Sequence, residues 1–117
     1  MIVITQHKNG LSIRGHAHYA EIGKDIVCAA VSTLAQTLIY SIEELTADKI
    51  KYVSKPGTVE IEHGNLSAGA QLLVDSFFVG VQLIANNYPA YVRVQTSDQA
   101  LMSLKAMDRQ NVQAWNT

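Results

Sequence analysis

Apolar residues recur along this chain with two different periods. Ile2, Val3 and Ile4 open a short β-rich run that turns polar at Gln6. Leu11 and Ile13 belong to a second run reaching Gly15, and Lys8-Asn9-Gly10 joins the two. Asn-Gly between such runs is a hairpin signal. From residue 25 the period lengthens: Val27, Val31, Leu34, Leu38, Ile42 and Leu45 recur at helical spacing, which predicts an amphipathic helix over residues 25–45 with that stripe buried. Residues 49–54 and 58–63 flank Lys55-Pro56-Gly57, and Val59, Ile61 and His63 alternate with Glu60 and Glu62, as a hairpin with one buried and one wet face requires. A second helix is expected over 67–87, starting at Ser67. Its stripe is Ala70, Leu73, Phe77, Val81 and Ile84, with one of Phe77 and Phe78 in the core, and Asn86-Asn87-Tyr88-Pro89 stops it. Residues 91–96 form a last strand.

The order β-β-α-β-β-α-β, with hairpins in place of crossovers, predicts an α+β fold of two layers, a mainly antiparallel or mixed sheet with both helices on one face. Strand order does not follow from the pattern. Beyond residue 96, Leu101, Leu104, Val112 and Trp115 fall near one side of a third, C-terminal helix, so the chain reads as a domain over 1–96 and an extension over 97–117.

Composition narrows the function. At 117 residues and 48% apolar, the chain is long enough for one real core. Its net charge of −1 and the lack of any dense Lys/Arg run argue against nucleic-acid binding. The apolar start ends by Gln6, so no export signal is indicated, and the run from Val27 to Ile39 is too polar and short to be expected in a bilayer. One cysteine excludes an internal disulfide and suits a reducing cytoplasm. His63, set among Glu60 and Glu62, fits no zinc spacing with His16 and His18, so neither metal nor cofactor is expected. The glycine-bearing turn 64–69 lacks the lysine of a phosphate loop.

That cysteine, Cys28, carries the sharpest chemistry. Two histidines, His16 and His18, precede it by twelve and ten residues, with Gly23 between to turn the chain. If Asp25 caps the helix, Cys28 is its third residue, where unpaired N–H groups and the positive end of the dipole favour a thiolate. Asp25, Cys28 and Ser32 are spaced by three and four and share a helix face. Backbone N–H groups near Val27 and Cys28 are expected to receive an oxyanion. The plain alternative is a small buried core thiol on an alanine-rich helix.

The run Gly15-His16-Ala17, Tyr19-Ala20 and Gly23-Lys24-Asp25-Ile26-Val27-Cys28-Ala29-Ala30-Val31-Ser32 resembles the signature of the ribosomal-processing cysteine proteases, the Prp family. The resemblance implies that residues 1–96 are a cysteine protease domain, with His16 as general base, Cys28 as nucleophile, and Asp25 and Ser32 as supporting residues. It implies a cytoplasmic homodimeric endopeptidase that needs no cofactor and removes an N-terminal extension from a precursor of a large-subunit ribosomal protein, cutting after an aromatic residue. Two departures stand out: His18 occupies a position where the family usually has glycine, and 97–117 runs past the family's usual end. The tail leaves room for a phage or prophage protease acting on a capsid-assembly protein, and a non-catalytic dimeric domain is the remaining alternative.

Overall fold

The computed structural model describes residues 1–21 and 23–96. The elements are β1 (Ile2–His7), β2 (Gly10–Arg14), α1 (Ile26–Leu45), β3 (Ile50–Lys55), β4 (Thr58–His63), α2 (Ala68–Asn87) and β5 (Val92–Thr96). This is the expected order, with ends displaced by a residue at most of the strands. The helix expected within 97–117 lies outside the described residues.

One five-stranded sheet runs β3-β4-β2-β1-β5. Every pairing is antiparallel except β1 with β5, which is parallel. The sheet is therefore mixed. The register aligns apolar residues in rows, with Ile4 beside Ile13 and Val94, Ile13 beside Val59, and Leu11 beside Ile61. Those residues, with Ile2 and Val92, join the buried stripes of both helices in one core, so both helices cover a single face. The other face is polar: Thr5 pairs with Ser12, Ser12 with Glu60, and Arg14 forms an ion pair with Glu60. Thr5 and Ser12 are buried even so, and their hydroxyls bond Gln95 Nε2 and His7 Nε2 at 3.3 Å each.

The helix stripes are rotated slightly from those expected. In α1 the buried residues are Val27, Val31, Ala35, Leu38, Ile39 and Ile42, whereas Leu45 is exposed. Leu34 is only partly buried, because it turns toward α2, where a Cβ on Gly80 would stand 2.9 Å from its Cδ1. In α2 the sheet-facing set is Ala70, Val74, Phe77, Phe78, Val81 and Ala85. Both phenylalanines are thus core, their rings edge-to-face with centroids 5.2 Å apart. Leu73 and Ile84, expected in the stripe, lie at its margin.

Caps fix the helix ends. Ser67 caps α2 by accepting Ala70 N–H, and Asp48, just past α1, accepts Ser67 N–H at 2.8 Å and Ser67 Oγ–H at 2.6 Å. These bonds, the hydroxyl's first, hold the Asp48 carboxyl below its ordinary value. The start of α2 is thereby tied to the end of α1.

Both helices are 20 residues long, each holds an 18-residue stretch of mean hydropathy 1.5, and by length and composition alone they are long and apolar enough to cross a membrane. This departs from the expectation set by the run from Val27 to Ile39. In this fold each helix commits its apolar stripe to the sheet.

Candidate active site

Strand β2 ends at Arg14, and the chain then bends at Gly15, whose φ of +95° and whose Cα, so close that a Cβ would lie 2.3 Å from Met1 O, both require glycine. Gly15 N–H donates to Gly57 O at 3.0 Å, which fastens this bend to the β3–β4 turn. His16 follows at once. Ala17 is buried and donates its N–H to Cys28 Sγ at 3.3 Å.

His18 adopts a left-handed conformation, φ 57°, and is the one non-glycine residue with positive φ among the described residues. That backbone accounts for the usefulness of glycine at this position. The His18 ring meets the His16 ring edge-on, centroids 5.9 Å apart. Tyr19 then packs edge-to-face against Tyr88 and Tyr91, at 5.5 and 5.2 Å, so the loop is pinned to the junction of α2 and β5.

Asp25 is the N-cap of α1. Its Oδ1 accepts Val27 N–H at 3.0 Å and Cys28 N–H at 2.9 Å, while Oδ2 accepts Tyr19 N–H at 2.9 Å and Ala20 N–H at 3.3 Å. One carboxylate therefore clamps the loop to the helix start. The bond from Cys28 N–H is the foremost cause that lowers its pKa below 3.8, with the other three amides adding to it and partial desolvation opposing.

This overturns the expected oxyanion site. The N–H groups of Val27 and Cys28 already serve the Asp25 carboxylate and do not face an empty cleft. The amide that points at the sulfur is that of Ala17. Sequence reasoning missed it because a backbone N–H carries no residue-type signal.

Cys28 is half-buried. It shares with His16 a cleft of about 310 Å³, walled by Ser32 and Gln36 of α1 and by residues 54–59 of the β3–β4 hairpin. Ser32, one turn beyond Cys28 and exposed, lines the same cleft, whereas Asp25 and His18 do not. Gln36 Nε2–H donates to Ser54 Oγ at 3.1 Å, joining helix to hairpin across it. Among the described residues no hydrogen bond links His16 to Cys28. A larger hollow, about 640 Å³, runs along the outer face of α1 past Thr33, Thr37 and Tyr40, but it holds neither His16 nor Cys28. Among the described residues no three His, Cys, Asp or Glu side chains gather as metal ligands. A thiol, an imidazole and an amide donor around one cleft are the parts of a thiol hydrolase.

A family model described as Cysteine protease Prp matches residues 1–93. The ribosomal processing cysteine protease Prp of Mycoplasma genitalium is 34% identical over 94 residues, covering 79% of this chain and 92% of that protein. Among solved structures, the essential ribosomal processing protease Prp from S. aureus, in complex with a covalently linked product peptide, aligns with TM-score 0.75 and 25% identity over 82% of this chain and 97% of the other. The structure of SMU.848 from Streptococcus mutans aligns with TM-score 0.68 and 29% identity over 84% and 93%.

Proposed function

The chain belongs to the Prp family of cysteine proteases, and on that footing we propose that it cleaves a ribosomal protein precursor with a Cys28–His16 dyad. The observation that carries the assignment is the shared cleft: Cys28 and His16 both line it, and Cys28 Sγ accepts an amide hydrogen bond from Ala17.

In this reading His16 takes the proton from Cys28 Sγ, and the thiolate attacks the scissile carbonyl. Collapse of the tetrahedral adduct expels the amine, which takes a proton from the imidazolium, and leaves a thioester on Cys28. Water, deprotonated by His16, then hydrolyses the thioester and releases the free thiol. Negative charge at the sulfur is met by the Ala17 N–H. Asp25 supports the dyad by holding the loop against the first turn of α1, and Ser32 by lining the cleft one turn on.

The substrate assignment is supported by two relatives named as ribosomal processing proteases, one of them seen with a product peptide. The client is the N-terminal extension of a large-subunit ribosomal protein, and the working compartment is the cytoplasm. We assign the protease domain to residues 1–96 and an appended segment to 97–117, since the family match stops at residue 93. A second copy of the chain is the partner, for which Tyr40 and Leu45 on α1 and Tyr52 on the edge strand β3 leave apolar surface exposed.

Mass spectrometry of a peptide spanning that extension, incubated with wild type and with Cys28→Ala, tests the reading. Cleavage by wild type alone is expected. Equal cleavage by Cys28→Ala overturns the nucleophile, and an intact peptide in both overturns the client.

A further inference from the structure

We infer that Gly57, in the turn between β3 and β4, is a positioning residue for the His16 imidazole. The inference rests on the assignment of His16 as the base. A Cβ at Gly57 would stand 2.9 Å from His16 Nε2, 3.5 Å from Cε1 and 3.6 Å from Cδ2. The three atoms at the tip of the ring thus lie over a bare Cα. A real Cβ essentially never comes within 3.0 Å of such a non-bonded neighbour, and because the atom it would meet is the free end of the His16 side chain, the ring is what gives way.

The turn is a firm platform. Pro56 restricts the backbone on one side, Lys55 pairs with Thr58 across the ladder, and Gly15 N–H bonds Gly57 O at 3.0 Å. The residue before His16 and the tip of its ring therefore rest on the same peptide. The His18 ring bounds the imidazole elsewhere, edge-on at 5.9 Å. Among the described residues no hydrogen bond ties His16 to Cys28, so the Gly57 surface and the His18 ring are the contacts that bear on where the imidazole stands. Proton transfer is steep in donor–acceptor geometry, and a shift of about 1 Å can cost on the order of a hundredfold in rate.

A rival explanation is that Gly57 is there only for its φ of +76°. Asparagine tolerates left-handed backbone yet carries a Cβ, so Gly57→Asn separates the two roles. Full-length wild type, Gly57→Asn, His16→Ala and the double variant would be treated with iodoacetamide at neutral pH, and Cys28 alkylation followed by mass spectrometry beside thermal melts. Gly57→Asn is expected to slow alkylation about tenfold or more while melting near wild type. The double variant should be no slower than His16→Ala alone, because both changes act through one imidazole. Wild-type reactivity in Gly57→Asn, or additive losses in the double variant, would overturn the inference while leaving the dyad standing. Wild-type alkylation and peptide cleavage by His16→Ala would instead remove the base and the inference with it. Should Gly57→Asn fail to fold, the wild-type protein decides: nuclear Overhauser contacts between the His16 ring and the Gly57 Hα protons are expected, and their absence overturns the proposal.

Discussion

The Asp25 carboxylate accepts the backbone N–H of Cys28 at 2.9 Å through one oxygen and that of Tyr19 at 2.9 Å through the other. Asp25 thus grips the peptide of Cys28 and the loop that follows His16. Replacing it should loosen both. Asp25→Ala is expected to lower kcat about tenfold or more and to speed amide exchange in residues 17–21, with Asp25→Asn milder because its amide oxygen still accepts one pair of bonds. Exchange mass spectrometry beside a peptide assay checks it, and unchanged exchange in the loop would contradict the clamp.

The same bonds set a pH dependence. The Asp25 pKa lies below 3.8 in the folded chain, so its contribution is fully present above the unfolded value and is lost as pH falls through the lower folded value. Melting temperatures of wild type and Asp25→Asn should differ by a constant amount at neutral pH and converge below about pH 4. A gap that persists at the acid end would exclude ionisation as its source.

His18 supplies a separate test, since its left-handed φ of 57° is strained and its ring only edges that of His16. The conformation costs a non-glycine residue ~1–2 kcal/mol, and the extra unfolded freedom of glycine returns roughly 0.5–1 kcal/mol of that. His18→Gly should therefore gain up to about 1.5 kcal/mol in stability and keep its turnover. Loss of turnover comparable with His16→Ala would make His18 part of the proton path.

Tyr19 meets Tyr88 and Tyr91 edge-to-face, and such pairs are worth about 0.5–1.5 kcal/mol before discounting for exposure. Tyr19→Ala should raise exchange in the 17–21 loop while the melting temperature barely moves. A large fall in melting temperature would instead place Tyr19 in the global core.

Phe78 is 1% exposed and sits where α2 meets the sheet. Phe78→Ala should cost about 3–5 kcal/mol through lost burial and the cavity left behind. Chemical denaturation measures this, and a cost under about 1 kcal/mol would show that the core collapses freely around the gap.

Much of this protein is legible in local pattern. The alternation of Val59, Ile61 and His63 marks β4, Asn9-Gly10 marks the first hairpin, and Asp25 three residues before Cys28 marks a helix cap, because period, turn chemistry and capping act over a few residues. His16 and Cys28 are legible for the same reason, lying on one strand–loop–helix segment. The family motif adds the expectation that they work together.

Tertiary structure alone decided what depends on distant segments meeting. The parallel pairing of β5 with β1 and the place of β3 at the sheet edge arise from which apolar rows bury against one another. So do the rotation of the buried stripes and the burial of both Phe77 and Phe78. The way Asp25 acts, as a clamp whose oxygens meet four amides, was likewise decided in three dimensions, and it left Ala17 N–H as the donor to the sulfur. Gly57, forty-one residues beyond His16, came to lie against its ring through the β2–β4 ladder. Side-chain identity and local period are written in the chain; the exclusion of a Cβ by a ring from a distant loop exists only once the sheet has formed.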